Sequence, residues 1–438
     1  MESALELAAR IRRGEVTSEA LVAERLARID ALNPLLQAFT DVTARRALRA
    51  ARRKDRAPSD APFHGVPIGV KDLNLVRGTF TRFGSDAYRW LVAPFDDPLT
   101  QAIRRAGFVI LGKLATSEFG TVPVTEPSVH APTRNPWSPD RTSGGSSGGS
   151  ASAVAAGLLP IAHASDGGGS IRIPAAFCHL FGYKSSRGLN QFLDKRIDRV
   201  SLTVEGCVSH TVDDAVAFTR ALGSALPDLP PVPSRLRIGL AVEGGVGPTG
   251  APHADAARRV ASALAALGHE VVEQPPLAGA VEEFLPMWAR MAADIPLLRE
   301  SAVQPVTRWL REQGRATTHD DASRAHASLS ARIDAWCGDL DLWVTPTVGG
   351  PPPRVGTMDG LAPRDAFAAI APIGQYTAPF NVSGQPAATL PAGLDDDGLP
   401  IGVQLVARRG QDALLLAVCR HLEAELPWRG RAPVLARR

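Results

Sequence analysis

The chain has 438 residues, room for one large domain or two to three ordinary ones, and is 45% hydrophobic and 21% charged, as expected of a globular protein with a substantial core. With 48 basic and 45 acidic residues the net charge is +3, which gives no electrostatic footprint for nucleic acid or an anionic membrane. Cys178, Cys207, Cys337 and Cys419 form no CxxC pair, so buried, reduced thiols are expected rather than a zinc site or a redox motif.

The opening stretch, MESALELAARIRRGEVTSEALVAERL, is amphipathic and lacks the apolar core of a secretory signal. No run approaches the roughly eighteen apolar residues of a membrane span, so a cytoplasmic location is expected. Residues 3–33 read as two helices split near Gly14, with Thr17 or Ser18 capping the second and Asn33-Pro34 stopping it. Residues 40–56 read as an arginine-rich helix. HGVPIGVKDL (64–73) holds a short buried strand ending at Lys71, and 97–114 reads as a helix followed by the strand FVILGK. Residues 147–157 form a small-residue helix pattern, 158–165 a strand and 212–223 a further helix.

After the proline-rich crossing 224–235, strand patterns recur at 235–242, 269–274, 340–348 and 398–408. Helical patterns fill 253–268, most of 281–337 and 413–426. Strands alternating with helices predict an α/β fold with a mixed, mostly parallel sheet covered by helices on both faces. The alternation continues past the crossing, so one domain over 1–438 is expected. It divides into N-terminal helices (1–56), a core of about 60–225 and a second half of about 235–438.

The segment RTSGGSSGGSASAVAAGLLPIAHASDGGGS (141–170) has the composition of a linker at both ends and of a buried helix and strand between them. A helix over 147–157 spans about 16 Å, and a five-residue return strand spans about the same. The strand therefore ends beside the start of the helix, which brings Ser146 and Ser170 to one edge of the sheet. Lys71 ends another strand, and that edge is where sites form in open α/β sheets. Gly167, Gly168 and Gly169 can adopt backbone shapes that aim successive N–H groups at one oxyanion. A lysine can serve as base to a serine if burial lowers its pKa from about 10.4.

Five stretches carry a resemblance to the amidase signature family: HGVPIGVKD (64–72), GGSSGGSASAVAAG (144–157), DGGGSIRIPAAFC (166–178), TAPFNVSGQPAATLPAG (377–393) and GLPIGVQLVA (398–407). The resemblance spans nearly the whole chain. It implies that Ser170 is the nucleophile, that Ser146 is a bridging serine following a cis Gly145–Ser146 peptide, and that Lys71 is the base. It also implies an oxyanion hole from the backbone N–H groups of Gly167, Gly168, Gly169 and Ser170. Asp166, Arg172 and Ser147 are the expected supporting residues. The implied reaction is acyl transfer from a small amide through an acyl-serine, with neither metal nor organic cofactor. A homodimer would fit the family's habit. TEPSVHAPTRNPW (125–137) followed by AHASDGGGSIRIPA (162–175) resembles bacterial amidases of the 6-aminohexanoate cyclic dimer hydrolase type. GYKSSRG (182–188) departs from the family's GxKPTxG pattern. APIGQYTAPFN (371–381) lacks the acidic anchor of the glutamine-amidotransferase subunits, which argues against a glutaminase role.

Two other motifs compete. GGSSG (144–148) fits the GxSxG elbow of α/β-hydrolases, which would make Ser146 the nucleophile and need a late histidine; His421 is the one available. GVGPTG (245–250), followed at Glu273 by an acid, fits a dinucleotide fingerprint, but Pro248 and Pro252 favour a plain βαβ turn. His163 and His179 read as packed, hydrogen-bonded histidines and Cys337 as a buried small residue. Trp288, Trp309, Trp336 and Trp343 could equally line a pocket or fill core. The substrate site is expected within 270–375. The same residues would serve a hydrolase or an amide synthase in which an amine intercepts the acyl-serine. A silent binding protein is disfavoured by the complete serine–lysine set.

Overall fold

The computed structural model describes residues 2–192, 198–276, 281–297 and 299–437. Thirteen strands run in chain order: β1 (Phe39–Val42), β2 (Pro67–Lys71), β3 (Val109–Leu114), β4 (Arg134–Asn135), β5 (Ser138–Thr142), β6 (Ile161–Asp166), β7 (Phe181–Lys184), β8 (Val204–Ser209), β9 (Arg237–Leu240), β10 (Glu270–Glu273), β11 (Leu342–Pro346), β12 (Ala387–Leu394) and β13 (Pro400–Ala407). Eleven of them form one mixed sheet in the order β1-β3-β2-β6-β8-β7-β12-β13-β11-β9-β10; β4 and β5 pair separately. Helices cover this single α/β domain.

Parallel pairing occurs in two blocks, β3-β2-β6 and β11-β9-β10. The strands between them pair antiparallel. Three of those, β7, β8 and β12, carry no strand signal separable from their motif surroundings. β13 is buried along all eight residues, as a central strand covered on both faces must be.

The N-terminal elements show where local pattern was overruled. Helix Ser18–Leu36 is capped at Thr17, whose side chain accepts from the Ala20 N–H. It runs past Pro34, not stopping there as expected, and ends at Gln37 in the left-handed region. The Asn33 side chain fastens this end by bonding both the N–H and the carbonyl of Phe39. The helix expected from residue 40 begins only at Ala44, because 39–42 is taken as an edge strand by β3. Tertiary pairing decides such short segments. Asp97 caps helix Pro98–Arg105 by accepting from the Thr100 N–H, and Pro98 fills its first position.

Helix Gly148–Ala155 is buried on all eight residues. Its small side chains let it enter the core between strands. At Gly149 an added Cβ would lie 2.3 Å from the Ala115 nitrogen and 2.5 Å from the Ala38 oxygen. The segment is therefore packed interior, not linker. All four cysteines are free and buried. GVGPTG lies in the β9–helix–β10 unit, where the helix spans Ala251–Ala266. The Val246 and Gly247 N–H groups of that loop donate to Gln375 Oε1.

Candidate active site

β2 and β6 are parallel neighbours, so Lys71 at the end of β2 and Ser170 just beyond β6 reach the same sheet edge. Ser146 precedes helix Gly148–Ala155, which enters at that edge, and the Gly145–Ser146 peptide is cis. The Ser147 N–H donates to the Ser170 carbonyl at 3.3 Å and joins the two glycine/serine clusters directly. Lys71, Ser146 and Ser170 thus converge as the strand geometry predicts. His421 lies on an exposed helix surface and Ser146 Oγ is instead paired with Lys71, so Ser146 does not bond the late histidine that the GxSxG reading needs.

Lys71 is fully buried. Its Nζ lies 2.7 Å from Ser146 Oγ and 3.0 Å from Ser165 Oγ. Burial lowers its pKa to about 7, against the opposing pull of the Glu205 and Asp166 carboxylates. With hydroxyls rather than a carboxylate as direct partners, a large fraction of Lys71 is neutral at neutral pH. Ser165 was not picked out from sequence; its signal is a place two residues after His163 on the same face of β6. Ser147 Oγ holds the end of that strand, accepting from the Ser165 N–H and donating to the Ser165 carbonyl.

The glycine turn is fixed from below. Asp166 accepts from the N–H groups of Gly169 at 2.7 Å and Ile171 at 3.1 Å and from the Arg172 guanidinium. Burial alone would raise the Asp166 carboxyl, but the Arg172 charge and hydrogen bonds hold it well below the usual carboxylate range. Gly169 has φ +127, and a Cβ there would lie 2.2 Å from Thr377 Oγ1. This corrects one expectation: the Gly169 N–H is turned inward to Asp166 and is not free for an oxyanion. The N–H groups of Gly167, Gly168 and Ser170 have no partner among the described residues.

Arg172 also explains why the two late motifs belong to this site. Its Nη1 donates to Gln404 Oε1 on β13 and its Nη2 to Asn381 Oδ1. Gln404 donates onward to Thr345 Oγ1 and the Tyr376 carbonyl. Each of these groups is buried, and leaving one unpaired costs about 1–3 kcal/mol. The network is therefore stable only when complete, and it fixes the turn that carries Ser170. His163 and Glu205 form a second support. His163 Nδ1 accepts from the Lys71 backbone N–H at 3.2 Å, and Nε2 lies 2.9 Å from Glu205 Oε2. His179 packs edge-on against Trp137.

Ser170 lies between two chambers. A narrow one of about 110 Å³ has largely apolar walls, including Val122, Ile173, Phe284, Trp288, Leu329 and Phe367. A wider one of about 500 Å³ is lined by Ser146, Ser165, Glu205, Phe83, Tyr88 and Met291 among others. Ser170, Gly120 and Trp288 border both. The expectation of a site within 270–375 accounts for much of the narrow chamber. The wide one draws its largest share from residues 73–97, with Ser165 from β6, Glu205 from β8 and Trp288, Met291, Ile295 and Pro296 from the expected range. Of the four tryptophans, Trp288 lines the chambers. Trp309 and Trp336 pack against Phe367 and Trp343. Cys337 lines neither chamber, and burial raises its thiol to about 12. No group of three His, Cys, Asp or Glu is placed to hold a metal among the described residues. No helix among them is long and apolar enough to cross a membrane.

Comparison with known proteins finds similarity over nearly the whole chain. A sequence model of the Amidase family matches residues 20–416. The 6-aminohexanoate-cyclic-dimer hydrolase of Paenarthrobacter ureafaciens is 33% identical over 481 residues, covering 97% of this chain and 95% of that protein. The solved structure of 6-aminohexanoate cyclic dimer hydrolase complexed with substrate superposes with a TM-score of 0.90 at 32% identity, covering 99% of both chains. A further crystal structure of an amidase gives 0.85 at 30% identity, over 97% of this chain and 100% of that one.

Proposed function

We propose, from the premise that this chain belongs to the amidase family and is an amide-hydrolysing enzyme, that it cleaves a small carboxamide or short linear or cyclic amide through an acyl-enzyme on Ser170. Ser146 relays protons between Ser170 and the base Lys71. The observation that carries this reading is the 2.7 Å contact between a buried Lys71 and Ser146 Oγ, at the same sheet edge as Ser170.

In acylation, Ser170 Oγ attacks the amide carbon while its proton passes to Ser146 and the Ser146 proton passes to neutral Lys71. Charge develops on the carbonyl oxygen and is met by the N–H groups of Gly167, Gly168 and Ser170; one such donor is worth about 10²–10³ in rate. The C–N bond then breaks, and the nitrogen takes a proton from Ser146, which Lys71 replenishes. In deacylation, water adds to the ester carbon, giving its proton to the same relay. The Ser170–acyl bond breaks, the acid leaves, and Ser170 regains its proton. Lys71 must begin each half neutral, which its burial favours.

The experiment is intact-mass analysis after exposure to a fluorophosphonate, run beside hydrolysis of a panel of small amides. Wild type is expected to gain one adduct that Ser170→Ala lacks entirely. Ser146→Ala and Lys71→Ala label at least about a hundredfold more slowly, as loss of a proton relay requires. An adduct that persists in Ser170→Ala but vanishes in Ser146→Ala would reverse the assignment of nucleophile.

A further inference from the structure

The two chambers differ in chemistry, and the difference assigns the two halves of the substrate. Expulsion of the amine requires a proton from the Ser146 relay. Ser146 lines the wide chamber and not the narrow one. The amine half therefore departs into the wide chamber, and the acyl half sits between Val122, Ile173, Phe284 and Phe367. An ammonium in that narrow, largely apolar space would be desolvated with no carboxylate among the lining residues, which is costly.

The wide chamber holds such a partner. Glu205 stands directly across from Ser165 in the β6–β8 ladder, so the two side chains share the face that Lys71 Nζ reaches. His163 engages Glu205 Oε2 at 2.9 Å. Glu205 Oε1 has no partner among the described residues, although Glu205 is only 6% exposed. A carboxylate this enclosed normally finds a cation. None of the described residues supplies one to Oε1, and Glu205 borders the space where the amine half lies. Building on the proposed acyl-enzyme function, we infer that Glu205 is a specificity-determining residue that binds a protonated nitrogen on the amine half of the substrate. The preferred substrates are monoacylated diamines with a small apolar acyl group. An ammonium seated there also offsets the pull of Glu205 on Lys71, so it favours the neutral base.

The test compares N-(ω-aminoalkyl)butanamides carrying two to six methylenes with their N-alkylbutanamide counterparts. Wild type is expected to favour the best aminoalkyl member by about tenfold in kcat/KM, the size of a partly desolvated charge pair. Glu205→Gln keeps an acceptor for His163 and is expected to bring that ratio near one, whatever its absolute rate. N-alkyl-4-aminobutanamides, which put the ammonium on the acyl half, are expected to be worse than the neutral amides. Equal kcat/KM for both series in wild type, a preference that survives Glu205→Gln, or a preference for the acyl-side ammonium would each overturn the inference. If the variant does not fold, inhibition of wild type decides: α,ω-diamines are expected to inhibit more strongly than alkylamines, and equal inhibition refutes the idea. Failure of wild type to hydrolyse any neutral amide would instead remove the parent reading. Hydrolysis without preference removes this one alone.

Discussion

Lys71 and Lys113 sit one register position apart on adjacent parallel strands, where Val70 faces Lys113 and Lys71 faces Leu114. Both are fully buried. The alternation of side chains sends them to opposite faces of the sheet, and there their surroundings diverge. Lys113 Nζ meets the Asp72 carboxylate at 2.7 Å and Thr81 Oγ1 at 2.9 Å. Burial pushes Lys113 down and Asp72 up, and their mutual attraction pulls both back. Lys71 meets only hydroxyls and a carbonyl, and the nearest carboxylates act at a distance. Burial alone therefore does not make a lysine a base. Lys184 is buried too, bonds only the Ser185 carbonyl among the described residues and is likewise lowered to about 7. What sets Lys71 apart is the Ser146 hydroxyl at its Nζ, on the sheet edge that carries Ser170.

The largest effect that can break this comparison is on turnover. Lys71→Met is expected to lower kcat/KM for a small amide by about 10²–10⁴, the range for a lost general base, while the protein stays folded by circular dichroism. An equal loss from Lys113→Met with the fold intact would sink the distinction. Next comes stability. Lys113→Ala leaves Asp72 buried without its cation and is expected to cost about 3–5 kcal/mol in urea unfolding. Replacing the pair together, Asp72→Leu with Lys113→Met, is expected to recover most of that loss. Failure to recover would mean that the pair contributes beyond mutual neutralisation.

The pH dependence sharpens the contrast. With Lys71 near 7 in the folded protein and 10.5 unfolded, the unfolded chain binds more protons between those values. Wild-type stability is therefore expected to rise with pH through that window, and Lys71→Met is expected to lack the slope. The rate should likewise rise with unit slope below about pH 7 and level off above. Glu205→Gln removes a carboxylate that favours the ammonium form, so this limb is expected to move to lower pH; an unmoved limb would show that Glu205 does not act on Lys71. The smallest expected change is Ser165→Ala. It removes one hydrogen bond to Lys71, worth about 1 kcal/mol, and is expected to alter kcat/KM by about fivefold with little shift in unfolding midpoint.

Much of the catalytic edge was legible in the residues themselves. A small-residue helix returning through a strand between two glycine/serine clusters places Ser146 and Ser170 at one edge by rise per residue, a second strand ending in Lys71 points to the same edge, and the resemblance supplied their expected roles. Asp166 and Arg172 lie within six residues of each other, so their pairing was within local reach. The partners that complete their network were not. Asn381 and Gln404 meet Arg172 across more than two hundred residues, and local periodicity carries no information at that range. The inward turn of the Gly169 N–H escaped for a related reason: a glycine triplet permits many backbone paths, and the Asp166 carboxylate selects one.

The N-terminal strand and the wide chamber show the same limit. The 39–42 segment lies between helical patterns on either side, and the exposed edge of β3 made it a strand. The wide chamber draws on residues from 73 to 296, so no window of sequence contains it. The sequence by itself determined the α/β class, the family and the identity of the converging serines and lysine, because these depend on local periodicity, turn chemistry and contiguous motifs. Only the tertiary structure decided which buried lysine meets Ser146, where the glycine N–H groups point and which chamber holds Glu205. Those outcomes depend on distances between chain-remote atoms, and such distances are set by packing.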